Sequence, residues 1–283
     1  MARNKLSRRR RWIQLLSALI YNANLPGFCS GRLYQGGTKG LCVPGLNCYS
    51  CPGAVGACPL GTLQSSLLAV PRKLPFYVLG FLLLIGLLLG RLVCGFLCPF
   101  GLIQELLYKI PSRKLPKSAW TRRLSWLKYA VLLVMVLLIP LWSALCRGVA
   151  LPAFCKYICP AGTLEGGLPL SLLRPEYRSI LGWLFSWKLL LCLAILLSCV
   201  FVFRSFCRFI CPLGAIYSLF HRLTFWAVRV DEQSCNHCGA CVRECLLDVQ
   251  KVGDRECIHC GACISRCPQN AIYLGKEKNH EKK

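Results

Sequence analysis

Four apolar stretches divide the first part of the chain: Trp12 to about Leu25, Phe76–Val93 (FYVLGFLLLIGLLLGRLV), Tyr129–Leu145 and Leu181–Phe203. A helix needs about 20 residues to cross about 30 Å of hydrocarbon, and about 17 at the least. The second and fourth stretches meet that length. The third sits at the lower limit, bracketed by Trp126 and Trp142 as an interfacial pair, and the first is marginal. From Ala227 onward the long apolar runs stop and short polar, cysteine-punctuated segments take over. The pattern predicts a mainly α protein. Residues 1–226 form a polytopic helical membrane domain of about four spans, internally duplicated. Residues 227–275 form a small α+β domain, and 276–283 a charged tail.

Composition agrees with the membrane reading: 55% of residues are hydrophobic and the mean hydropathy is +0.50. The net charge of +24 lies almost wholly in residues 1–226. There the only acids are Glu105, Glu165 and Glu176, which read as interfacial. A basic chain invites nucleic acid, yet these cations flank apolar runs and line no polar face. They read instead as topology signals, because Lys and Arg collect on the cytoplasmic side of spans. Six precede Trp12 and eight lie in 91–128, against four in each of 22–73 and 143–182. This places the protein in the cytoplasmic membrane as a multi-pass chain, with the N-terminus, the central loop and the C-terminal domain inside and two longer loops outside. The RRRRW opening also resembles a twin-arginine signal. No small-residue cleavage site follows it, so a positive-inside anchor is the reading.

The 22 cysteines, beside 4 histidines, carry the candidate chemistry. A Cys-Pro-x-Gly motif occurs four times, at Cys58 (CPLGTLQ), Cys98 (CPFGLIQ), Cys159 (CPAGTLE) and Cys211 (CPLGAIY). The last three have a second cysteine four residues earlier, Cys94, Cys155 and Cys207. Such recurrence is what duplication of a two-span unit leaves. Topology puts the second and fourth motifs on the inner side, where Cys94, Cys98, Cys207 and Cys211 supply four thiolates for one [4Fe–4S] cluster. Gly101 and Gly214 would let the backbone approach that cluster and donate N–H bonds. The outer side offers Cys58, Cys155 and Cys159 with Cys51 or Cys48 as the fourth ligand. A self-contained loop set of Cys42, Cys48, Cys51 and Cys58 is a rival, and Cys29 and Cys146 would allow two outer clusters. Disulfides are the other reading of these outer cysteines. Cys192 and Cys199, inside the fourth apolar stretch, read as packing residues.

Residues 235–245 (CNHCGACVREC) and 257–268 (CIHCGACISRCP) repeat the C-x2-C-x2-C-x3-C run of two-cluster ferredoxins. In that run each fourth cysteine ligates the other cluster. Cluster I takes Cys235, Cys238, Cys241 and Cys267, and cluster II takes Cys257, Cys260, Cys263 and Cys245. The first run has Leu246 where the motif has proline. Paired C-x2-C elements also suit zinc, but eight cysteines in this order favour iron–sulfur clusters. His237 and His259 read as local polar residues, and His221 as interfacial. No C-x-x-C-H, G-x-G-x-x-G or P-loop occurs, so haem and nucleotide are not expected.

CGFLCP, CRFICP and the eight ferredoxin cysteines together resemble the membrane polyferredoxins of the NapH, NosR and CcoG type, from about Phe76 onward. The resemblance implies electron transfer between cytoplasmic donors or acceptors, membrane [4Fe–4S] clusters and a quinone or outer redox partner, as a component of an oxidoreductase system. The CcoG likeness implies an alternative, a copper-handling maturation factor for a partner enzyme. The chain departs from the family in its additional CKYICP and cysteine-rich first loop, and it lacks the flavin-binding domain of NosR-like members. Clusters at opposite membrane surfaces would stand about 30 Å apart, too far for one efficient hop, so either the motifs dip into the bilayer, a quinone bridges them, or the two sides serve separate electron routes.

Overall fold

Nearly every apolar run forms a helix, as its length and lack of polar interruption require, but the helices are shorter and more broken than hydropathy suggests. The computed structural model describes residues 2–67, 75–176 and 182–276. The charged tail beyond Lys276 and the loop cations Arg72, Lys73 and Arg178 lie outside the described residues. In chain order the helices are α1 (Ala2–Tyr21), α2 (Leu25–Ser30), α3 (Pro59–Ser66), α4 (Phe76–Leu88), α5 (Leu92–Phe96), α6 (Pro99–Tyr108) and α7 (Ala119–Arg147). They continue as α8 (Ala153–Tyr157), α9 (160–173), α10 (Trp183–Phe201), α11 (Ser205–Phe209) and α12 (Pro212–Leu219). The C-terminal part adds β1 (Ala227–Val230), α13 (Ala240–Glu244) and β2 (Ile272–Gly275).

Among the described residues two helices, α7 and α10, are long and apolar enough to cross a membrane. The expected span over Phe76–Val93 is a 13-residue helix, about 20 Å long. It stops because Gly90 turns the chain at φ 47° against Thr224, whose Oγ1 would lie 2.4 Å from any Cβ there. Arg91 then points inward. The first apolar stretch belongs to α1, a helix that also carries the basic cluster. In α7 the backbone widens to π-helical over Leu132–Leu138, and in α9 over Gly162–Gly167. Each stretch lies just before a proline, Pro140 or Pro169, whose missing N–H interrupts the regular ladder.

The acids and bases have uses the sequence did not disclose. Glu105 is buried, not interfacial: Arg10 clamps it with two bonds of 2.6 and 2.7 Å, and Arg204 Nη2 adds a third at 2.6 Å. Three acids between the two ferredoxin cysteine runs, Asp248, Asp254 and Glu256, hold the C-terminal domain to the helices. Glu256 meets Arg91 at 3.0 Å and Lys128 at 2.7 Å, with all three side chains buried. Arg122 pairs with Asp254 at 3.1 Å, and Arg208 pairs with Asp248. Part of the basic cluster that reads as a topology signal is therefore a docking face. The C-terminal domain itself is closed by the antiparallel β1–β2 pair, running from Ala227 opposite Gly275 to Val230 opposite Ile272.

Candidate metal centre

The C-x3-C-P motif makes the same local structure three times. Its first cysteine lies in a five-residue helix: Cys94 in α5, Cys155 in α8 and Cys207 in α11. The amides of Leu97, Ile158 and Ile210 close those helices on Val93, Phe154 and Phe206, and the second cysteine's amide bonds the same carbonyl. The chain then extends at Cys98 and Cys211, each capping a helix that has proline in its first turn. Cys58 caps α3 in the same way. The glycine three residues on directs its amide at the capping sulfur: Gly61 at Cys58, Gly101 at Cys98, Gly162 at Cys159 and Gly214 at Cys211. At Gly214 the distance is 3.4 Å. A Cβ would lie 3.1 Å from the Cys94 carbonyl at Gly101 and 3.2 Å from the Cys207 carbonyl at Gly214. These glycines thus make room for the first cysteine's own turn.

Cys94, Cys98, Cys207 and Cys211 are buried and lie within electrostatic reach of one another. Gln104 donates to the Cys207 sulfur at 2.9 Å. Arg204 donates to the Cys94 carbonyl and Arg10 to that of Gly95. On the other side, Cys48, Cys58, Cys155 and Cys159 form a second mutually facing set. A Cβ on Gly166 would sit 3.5 Å from the Cys48 sulfur, and one on Gly61 3.9 Å from that of Cys155. Gln64 donates to the Cys155 sulfur at 3.3 Å, and Glu165 accepts the Cys48 amide at 2.7 Å. Burial pushes the Glu165 carboxyl up to about 7 against that hydrogen bond. Cys51 adjoins this set through Cys48 and lies beside Lys39. Cys42 is turned toward Tyr77 and Thr62. Cys29 and Cys146 are exposed, and among the described residues no two cysteines are joined by a disulfide. Cys192 is directed at the Pro160 carbonyl and Cys199 at Ser205.

The two sets do not lie at opposite surfaces. The loop before α3 folds inward, burying Leu46 and Asn47. The Leu46 amide faces the Cys98 sulfur and the Asn47 amide the Cys58 sulfur. Consecutive Cα atoms are about 3.8 Å apart, so the two sulfurs are separated by at most roughly 10 Å, not the ~30 Å between opposite membrane surfaces. Tyr217, fully buried, donates to Pro44 at 2.9 Å and lies within reach of Cys58, Cys94 and Cys98. Tyr217 shares a position with Gln64, Gln104 and Glu165. Each is the sixth residue after its Cys-Pro cysteine and reaches across to another cysteine segment. A polar side chain at one fixed place in four apolar helices was the available signal, and the sequence reading passed over it.

In the C-terminal domain Cys245, Cys257, Cys260 and Cys263 face one another. Both cysteine runs use the same backbone, with positive φ at His237 (53°) and His259 (51°) and at Gly239 (70°) and Gly261 (74°). His259 is buried, and its Nδ1 accepts the Val228 amide at 3.1 Å. Burial, with Arg91 and Arg229 nearby, pulls its pKa down to about 4, so it is neutral. His237 is exposed, and His221 bonds the Ser218 carbonyl at 2.9 Å. Cys235, Cys241 and Cys267 are half-buried and Cys238 is exposed. A 3.0 Å Arg266–Glu244 pair ties the helix of Cys241 to the turn of Cys267. The loop of Cys257 sits against Gly95, between Cys94 and Cys98, where a Cβ would lie 2.4 Å from the Ile258 carbonyl. Gly95→Ala forces that backbone apart, with an expected cost of about 1–3 kcal/mol. The check is a lowered unfolding midpoint.

The donor chemistry fits iron–sulfur clusters. Among the described residues no three His, Cys, Asp or Glu side chains converge on one metal ion. Four thiolates that each bind a different iron of one cubane stand farther apart than ligands of a single ion.

The comparisons agree with this chemistry. A 4Fe-4S binding domain family matches residues 74–118, 129–168 and 183–229, each holding one C-x3-C-P, and a second 4Fe-4S binding domain family matches 252–273. An uncharacterised protein of Methanocaldococcus jannaschii is 30% identical over 176 residues, 60% of this chain and 64% of its own length. The methylamine utilization ferredoxin-type protein MauN of Paracoccus denitrificans is 28% identical over 66% of this chain and 60% of its own. The putative electron transport protein YccM of Escherichia coli is 24% identical over 58% and 43%. The chain thus spans less than two thirds of each of these relatives. No solved structure matches it.

Proposed function

We propose that this chain, a polyferredoxin-like protein that binds multiple [4Fe–4S] clusters, is a membrane electron-transfer protein with four cluster sites in a row. Cys235, Cys238, Cys241 and Cys267 hold the first, and Cys245, Cys257, Cys260 and Cys263 the second. Cys94, Cys98, Cys207 and Cys211 hold the third, and Cys48, Cys58, Cys155 and Cys159 the fourth. The clusters supply one-electron exchange.

The observation that carries the reading is the contiguity of the protein between these sets. Gly95 touches Ile258 between the second and third, and the Leu46–Asn47 peptide joins the third and fourth. The exposed Cys238 end suits exchange with a cytoplasmic donor or acceptor, and the other end serves a quinone or an outer redox partner. The apolar stretches of α7 and α10 are only 17% buried within the protein, an exposure that suits lipid. The irregular 42–58 loop is tolerable at membrane depth because it is buried in protein. The relatives named as ferredoxin-type and as a putative electron transport protein support the same role.

The test uses vesicles carrying the chain and loaded with ferricyanide, with dithionite added outside. Bleaching of the enclosed ferricyanide, abolished by Cys94→Ser with Cys98→Ser, is expected. Bleaching no faster than in empty vesicles overturns the reading.

A further inference from the structure

The third and fourth cysteine sets have the same ligands and differ in the charge packed round them. Two buried ion triads flank the third. In one, Glu105 lies between Arg10 and Arg204, which continue to the carbonyls of Gly95 and Cys94. In the other, Glu256 lies between Arg91 and Lys128. Arg91 is within reach of both Cys94 and Cys207, and Lys128 of Cys94. The Glu105 group has two cations to one anion, and Glu256 is joined by a third cation, Arg255, at 3.7 Å, so each group leaves net positive charge largely shielded from water.

The fourth set is served differently. Its cations, Lys39 and Lys188, are partly exposed, and the buried Glu165 lies beside Cys48. Interaction energy varies inversely with the local dielectric. The buried cations of the triads therefore act more strongly than the partly screened lysines. Reduction adds one negative charge to a cluster, and charge and hydrogen bonds around the ligands set its potential.

We propose that Arg10, Arg204, Arg91 and Lys128, as positioning residues, hold the Cys94/Cys98/Cys207/Cys211 site at a higher reduction potential than the Cys48/Cys58/Cys155/Cys159 site. Between these two sites an electron then rests on the Cys94/Cys98/Cys207/Cys211 site. The proposal rests on the reading that both sets hold clusters.

The experiment is an EPR-monitored redox titration of the full chain, purified without oxygen. Cys207→Ser with Cys211→Ser, and Cys155→Ser with Cys159→Ser, assign the two membrane signals. The inner signal is expected to appear at the higher potential. Lys128→Met leaves Glu256 paired with Arg91, and Arg10→Gln leaves Glu105 paired with Arg204, so neither strands a buried anion. Each is expected to lower the inner midpoint and leave the outer one in place. The charge-conserving Lys128→Arg and Arg10→Lys are expected to restore it. An inner midpoint at or below the outer one overturns the proposal. So does a midpoint that Lys128→Met and Arg10→Gln leave unmoved, or one that the conserving variants shift equally. Absence of both membrane signals is a different result: it removes the clusters themselves, and the functional reading with them.

Discussion

Replacing Cys207 and Cys211 together by serine is expected to remove about a quarter of the bound iron, one cluster of four. Replacing Cys94 and Cys98 should do the same, and replacing all four should remove no more. That non-additivity follows from shared ligation: the two pairs come from segments over a hundred residues apart in sequence, yet they form one buried set. The ferredoxin signals should survive, because their eight cysteines all lie in the C-terminal domain. Iron and acid-labile sulfide on the purified variants, read with EPR, check this. Losses that add across the two pairs contradict a shared site.

Glu105→Ala is expected to be the most destabilising single change in the helical part, by about 3–5 kcal/mol. The substitution leaves the buried guanidinium groups of Arg10 and Arg204 without their anion. Both groups also hold carbonyls of the Cys94 turn, so the loss reaches the metal centre. Truncating one member of a buried pair costs more than the pair contributes, because the remaining charge stays desolvated. Glu105→Gln, which keeps an acceptor, should cost less. The unfolding midpoint in detergent and the iron retained per chain measure the effect. A Glu105→Ala protein as stable as the wild type would show that the triad has no structural role.

The Cys-Pro repeat made the Cys94/Cys98/Cys207/Cys211 grouping legible from sequence, because each motif encodes its own turn and cap. The fourth set was only partly legible. Cys58, Cys155 and Cys159 follow the repeat, but the loop that supplies the remaining thiolate carries no C-x3-C. Nothing local distinguishes Cys48 from Cys51. Tertiary contact is what sets Cys48 apart, since it meets Gly166 and Glu165, and the proposed reading takes it as the fourth ligand. Hydropathy located the helices and misjudged their lengths, since Gly90 ends α4 through a contact with Thr224 that no window average sees. The basic residues misled most. Counted along the chain they report topology, yet Arg91, Lys128 and Arg204 are among the most buried side chains in the protein. Their partners, Glu105 and Glu256, are remote from most of them in sequence. The closeness of the two membrane sets was likewise invisible, because it depends on the inward fold of the loop around Leu46.

The central claim is that the helical part holds clusters of its own beyond the ferredoxin pair. Iron and acid-labile sulfide in the full chain, purified without oxygen, test it most directly. Four cubanes predict about 16 of each per chain. A value of about 8, with no cluster signal left once the eight C-terminal cysteines are replaced, would contradict it.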